Sequence, residues 1–224
     1  MERNFLLVDG RKMASIIHPA AENSSENSRE SPEGDLWVFG YGSLMWRPGF
    51  DYLEKVPARL IGEHRALCVY SFDHRGTPER PGLVLGLDRG GACRGIAYRV
   101  AAAARADTVA YLRAREQVTS VYRETMRPVW LKHSPERRVS ALCYMIDRGH
   151  VQYAGRLSLE QQLHHVRQGH GQSGANRDYV IATVAALEQL GFRETELHLL
   201  AERLAGTHET TIHAPAPLSQ EASG

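Results

Sequence analysis

The apolar run Leu36-Trp37-Val38-Phe39 empties into Gly40-Tyr41-Gly42-Ser43-Leu44, and Pro48-Gly49 follows almost at once. A strand that runs into glycines exposes several backbone N–H groups at one point. If a helix came next, the segment would be the phosphate-binding start of a nucleotide fold. Pro48 and Gly49 forbid a helix long enough to orient a dipole there. Met45 stands where a dinucleotide fingerprint has its third glycine, and no Gly-Lys-Ser/Thr closes the segment. Two readings remain: a tight turn after a strand, or a neutral cradle for a carboxylate or a developing oxyanion. Ser43 is a weak nucleophile candidate, since the Gly-x-Ser-x-Gly elbow is missing.

Further along, residues 101–118 have helical periodicity. Ala106, Val109, Leu112 and Glu116 recur at i, i+3, i+6 and i+10, so Glu116 extends the apolar stripe, away from the face carrying Arg105 and Arg115. A glutamate pointing inward is desolvated, which raises its pKa toward the range useful for proton transfer. The competing reading is a buried structural ion pair with one of the many arginines.

The chain has 224 residues, 42% of them hydrophobic, enough for one domain with a real core. A formal net charge of +1 argues against a nucleic-acid or anionic-membrane partner. The apolar stretches fall short of a membrane span and the N-terminal residues carry no cleavage signal, so a cytoplasmic protein is expected. Cys68, Cys93 and Cys143 each sit in a strand-like run and read as buried reduced thiols.

Enrichment in β-branched and aromatic residues predicts strands at 36–40, 58–72, 83–88, 93–100, 121–132 and 138–147, with a hairpin turn at Arg89-Gly90-Gly91. Helices are predicted at 102–118, 158–169, 174–190 and 194–206. Strands first and helices late give an α+β domain over 35–206. Residues 1–34, with the polar run Glu22–Ser28, and the tail 207–224 are expected to be disordered. His164, His165 and His170 cluster near a helix end. Adjacent helical residues point about 100° apart, so the first two do not share one metal and a surface or capping role fits better.

Phe39–Trp46, Arg75-Gly76-Thr77-Pro78-Glu79, Pro81–Gly91, Cys93-Arg94-Gly95, Tyr111–Glu116, Val121-Tyr122-Arg123 and Gly171–Tyr179 come in this order across most of the chain. Together they closely resemble the ChaC-type, glutathione-specific γ-glutamylcyclotransferases. The resemblance implies a small curved sheet or barrel of about six strands with flanking helices and a cleft at its mouth. It implies cleavage of glutathione to 5-oxoproline and cysteinylglycine without metal or cofactor. It assigns Glu116 as the catalytic acid/base and places the γ-glutamyl group on Tyr41, Gly42, Ser43 and Leu44. Met45, where isoleucine is common in the family, is a conservative departure.

Other roles stay open from sequence. Tyr122 offers a hydroxyl to the site or is a packed tyrosine. Asn176 and Tyr179 begin a helix whose N-terminus favours an anionic part of the substrate, or Asn176 is a cap. The loop with Arg75 and Glu79 covers the cleft or is structural. Ring closure leaves the departing group free to vary, so other γ-glutamyl amino acids or amines are rival substrates. A non-catalytic γ-glutamyl sensor is a rival of another class. Oligomeric state is not encoded in any motif, and a monomer is compatible with all of this.

Overall fold

A computed structural model describes residues 34–116 and 120–206; the expectations for the N-terminal extension before Gly34 and for the tail after residue 206 lie outside them. The order is β1 (Leu36–Gly40), a 3-10 turn (Ser43–Met45), β2 (Glu54–Ser71), β3 (Gly82–Val100), α1 (Arg105–Glu116), β4 (Tyr122–Leu131) and β5 (Arg137–Ile146). Then follow α2 (Leu159–Gln168), the two-residue strands β6 (His170–Gly171) and β7 (Gly174–Ala175), α3 (Asn176–Gln189) and α4 (Thr195–Ala205). The fold is α+β, as expected.

The main sheet closes into a barrel in the order β1-β3-β2-β4-β5. Closure comes from β1, antiparallel to β3 on one side and parallel to β5 on the other. Its side chains alternate between two cores. Trp37 and Phe39 join the large cluster that receives Leu163, Val184, Leu187 and Leu200 from α2, α3 and α4. Leu36 and Val38 face the cluster closed by Leu112 of α1. Every residue of β1 is buried, which is why this short run is continuously apolar. Gly95 is required by close approach, because a Cβ there would sit 2.7 Å from Phe39 Cζ.

The expected hairpin at Arg89-Gly90-Gly91 does not form. β3 runs without a break from Gly82 to Val100, merging the strands expected at 83–88 and 93–100, so the barrel has five strands rather than six. The register steps from Ile61↔Ala92 to Glu63↔Arg89, which sets Gly62 against Gly90 and Gly91. These three glycines have φ of 93°, 101° and 69°. Their freedom bends the β2–β3 ribbon as a bulge instead of reversing the chain.

Cys68, Cys93 and Cys143 are free and buried in β2, β3 and β5. Ser158 caps α2 in a reciprocal capping box with Gln161. Of the clustered histidines, His164 and His170 are exposed, and the His165 ring bonds the Pro81 carbonyl at 3.2 Å.

β1 has 5 residues and β3 has 19, and their pairing stops at Gly40↔Ile96. Among the described residues, one edge of β3 from Gly82 to Gly95 therefore has no strand partner. Side chains take its place. Asn176 Oδ1 accepts from Leu83 N and Asn176 Nδ2 donates to Leu83 O, both at 2.7 Å. The Tyr179 hydroxyl accepts from Leu85 N at 3.2 Å, and the Tyr122 hydroxyl donates to Leu85 O at 2.7 Å. Asn176→Leu would keep the volume and strand two buried backbone groups, so it should cost about 2–5 kcal/mol in urea denaturation. An unchanged midpoint would show that the edge finds other partners.

Candidate active site

The turn after β1 is built so that its carbonyls face the protein. Met45 N returns to Gly42 O at 2.9 Å, and Arg47 N to Ser43 O at 2.8 Å. Tyr41 O accepts from Arg65 Nε at 2.6 Å, and the Tyr98 hydroxyl lies 2.9 Å from Leu44 O and 2.8 Å from Met45 O. Arg47 O accepts from Arg115 Nη1 at 2.8 Å. By contrast, the N–H groups of Gly42, Ser43 and Leu44 donate to no group among the described residues. This is the first turn of a short helix with its donors free. Gly42 is tolerant rather than obligatory, since the nearest atom to a Cβ there is Leu85 Cδ1 at 3.7 Å.

Glu116 ends α1 and points inward, but its stripe differs from the expected one. Thr108 and Leu112, at i−8 and i−4, are buried on its face, whereas Ala106 is exposed. Burial pushes the Glu116 carboxyl above the usual range, and the adjacent Arg115 guanidinium, 3.2 Å away, partly opposes the shift. Both sequence readings of Glu116 thus hold in part: it is desolvated, and it has an arginine partner.

Sequence reasoning put Arg115 on the outer face of the helix and so missed its function. Its side chain curls back to the turn, where Nη2 donates to Ser43 Oγ at 2.8 Å and Nη1 to the Tyr111 hydroxyl at 2.9 Å. Arg115 therefore ties the carboxylate-bearing helix end to the glycine turn. Ser43, with its oxygen engaged by the Arg115 guanidinium, is not arranged as a nucleophile.

Tyrosines enclose the carboxyl. Tyr41, Tyr122 and Tyr179 are all held above the ordinary phenol value, first by burial, and each also feels Glu116; Tyr179 reaches about 12. They stay protonated at neutral pH. The Tyr41 hydroxyl, on a ring only 6% exposed, makes no hydrogen bond among the described residues. Those of Tyr122 and Tyr179 are committed to Leu85. Asn176 requires a correction. It is fully buried with both amide atoms on Leu83 and does not cap α3, whose N-cap is Ala175. Its work is to hold β3 beside the site.

The Arg75 loop docks on the β6–β7 turn. Gln172 N bonds Asp73 O at 2.8 Å and Ser173 N bonds His74 O at 2.9 Å, while Arg75 Nη1 donates to the Ser173 carbonyl. The Arg75 guanidinium also lies 5.4 Å from the centre of the Tyr179 ring. The loop thus borders the site on its Tyr179 side. Glu79 is exposed, its carboxyl lowered by its own backbone N–H and by Thr77. A separate groove of about 680 Å³ between α1 and β4, walled by Leu36, Val109, Met126 and Leu142, contains none of these groups. Of its charged groups, Glu124 and Arg113 are spent on each other at 2.8 Å.

Comparison with known proteins identifies the family. A family model described as ChaC-like protein matches residues 36–205. The glutathione-specific gamma-glutamylcyclotransferase of Escherichia coli K12 is 32% identical over 168 residues, covering 74% of this chain and 71% of that protein. The human glutathione-specific gamma-glutamylcyclotransferase 1 is 29% identical over 190 residues, 82% of this chain and 86% of that one. A crystal structure of the yeast γ-glutamyl cyclotransferase specific to glutathione has a TM-score of 0.72 at 22% identity, over 80% of this chain and 100% of that one. The barrel, the glycine turn and the glutamate at the end of α1 are features of a chain that belongs to the ChaC-like protein family.

Proposed function

We propose that this chain is a glutathione-specific γ-glutamylcyclotransferase that releases 5-oxoproline and cysteinylglycine. The observation that carries this reading is one desolvated carboxyl, Glu116, joined through Arg115 to a turn whose N–H groups are free. Its relatives' names supply the substrate class. The buried free thiols are in keeping with a reducing, cytoplasmic setting.

In a γ-glutamyl peptide the α-amine and the δ-carbonyl belong to one molecule, and their union closes a five-membered ring. The N–H groups of Gly42, Ser43 and Leu44 hold the α-carboxylate, which sets the amine beside Glu116, and the Tyr41 hydroxyl adds a donor. Glu116 takes a proton from the ammonium, the freed amine attacks the δ-carbonyl, and the same carboxyl returns that proton to the departing nitrogen. The second proton shed by the ring nitrogen ends on the released amine, which leaves as an ammonium. The N–Cδ bond of the ring forms as the amide bond to cysteine breaks, and no water is consumed. A raised carboxyl suits both halves of this exchange better than an ordinary glutamate. Tyr122, Tyr179 and Asn176 shape the wall from behind.

Glu116→Gln should retain the fold and lower turnover by roughly 10³-fold or more, read as 5-oxoproline by mass spectrometry. Near-normal kcat would sink the assignment. Folded Glu116 titrates above its unfolded value, so its ionisation costs stability as pH rises through that window, and the cost is complete above the folded pKa. Glu116→Gln should therefore melt a few degrees higher than the parent at pH 7. A lower melting temperature would mean that the carboxylate is a net stabilising group.

The acid limb of kcat/KM should fall above the pH of an ordinary glutamate, because Glu116 must be ionised to accept the proton. Arg115→Gln should move that limb further up, since the guanidinium is what opposes the desolvation. A downward move would reverse the assigned electrostatics. The α-linked Glu-Cys-Gly isomer should not react, because its amine cannot close the five-membered ring on the scissile carbonyl. Side-by-side assays of glutathione, γ-glutamyl-alanine and γ-glutamyl-lysine test the substrate, and faster turnover of either alternative would overturn glutathione specificity.

A further inference from the structure

We propose that Arg65 is a positioning residue that orients the Tyr41–Gly42 peptide so that the Gly42 N–H, and not the Tyr41 carbonyl, meets the substrate's α-carboxylate. The inference rests on the γ-glutamyl reading and says what aims its binding turn.

Strand alternation in β2 turns Glu63, Arg65 and Leu67 inward, and the Arg65 side chain is completely buried. A guanidinium in that position is costly unless its donors are used. Here Nε donates to Tyr41 O at 2.6 Å, and Nη2 to Arg94 O at 2.5 Å with Met45 Sδ 3.7 Å away. Nη1 pairs with the Glu194 carboxylate at the start of α4, which neutralises the charge. Fold stability alone accounts for the bonds to Arg94 and Glu194, which join β2 to β3 and to α4. The bond to Tyr41 does something more specific.

In a trans peptide the carbonyl and the following N–H point opposite ways. Drawing Tyr41 O toward Arg65 therefore turns the Gly42 N–H away from Arg65. A charged donor on that carbonyl also polarises the amide and strengthens its N–H as a donor. Without the guanidinium, the peptide is free to rotate and offer a carbonyl lone pair to the incoming carboxylate. Gly42 has no side chain to resist that rotation. The neighbouring Leu44 and Met45 carbonyls are held by Tyr98, so only the first peptide of the turn depends on Arg65.

The test compares glutathione with its α-carboxamide, in which the glutamyl carboxylate is made neutral, using the full-length chain and Arg65→Met. Slow turnover is read as product by mass spectrometry at high enzyme concentration, and circular dichroism confirms the fold at the assay temperature. Arg65→Met should lose roughly 10²-fold in kcat/KM with glutathione, comparable to a lost preorganised donor. With the carboxamide it should lose less than about 3-fold, because the interaction it protects is already gone. Arg65→Lys keeps a charge but cannot span the acceptors, and it should show the same substrate-dependent loss. It carries the comparison if the methionine variant unfolds. An equal loss on both substrates in folded protein would overturn the Arg65 assignment and leave the γ-glutamyl reading standing. A parent enzyme that forms no product from glutathione would overturn that reading, and the Arg65 assignment with it.

Discussion

The site depends on an unequal pairing: a β1 of 5 residues laid against a β3 of 19. Had β1 continued, its backbone would have covered β3 through Leu83 and Leu85, and no opening would exist there. Instead the chain leaves the sheet at Gly40, and the unpaired edge still has N–H and C=O groups to satisfy. Asn176 and Tyr179 from α3 and Tyr122 from β4 meet them, one residue after another. The groups that replace the missing strand are thus the ones that wall the site. Under the proposed function, stability and activity are not separable at these three positions.

Electrostatics follow from the same geometry. Side chains in place of a strand bring three aromatic rings around Glu116 and remove water from it, which raises its carboxyl. The phenols are raised in turn, partly by Glu116 itself, so each remains a neutral donor. Cys68, pushed up to about 12 by burial, stays a thiol and offers no competing nucleophile. Among these groups the carboxyl is the one that burial moves from the usual carboxylate range toward neutral pH. That is the condition for a single residue to accept a proton and return it.

Much of this was legible in the sequence, and the misses have physical causes. The strand-to-glycine turn was readable because Pro48 and Gly49 exclude the common alternative. Glu116 was readable from helical period, although the true stripe runs through Thr108 and Leu112, since threonine at a buried helical position does not register as apolar. Gly90 and Gly91 suggested a reversal because local turn chemistry is the same for a hairpin and a bulge; only the long partner β2 decides between them. Asn176 was misplaced because a cap and a bidentate partner for a distant strand edge look identical in one dimension. Arg115 and Arg65 were missed, yet Arg65 left a signal: Glu63 and Arg65 occupy alternate, inward positions leading into the apolar Leu67, where charge has no cheap solution.

Two arginines hold the glycine turn from different sides, and neither has a free charge to offer a ligand. Arg65 is balanced by Glu194 and Arg115 by Glu116, while their remaining donors go largely to carbonyls of the turn and its flanks. The cradle they shape is therefore built of neutral N–H dipoles. A bare guanidinium in the same place would bind a carboxylate more strongly, but it would also hold the product, which keeps that carboxylate, and it would pull the Glu116 pKa down. Spending the cations on carbonyls preorganises the donors and leaves the carboxyl raised. Under the proposed function the arrangement favours turnover over tight binding, and at Glu116 burial outweighs the arginine one residue away.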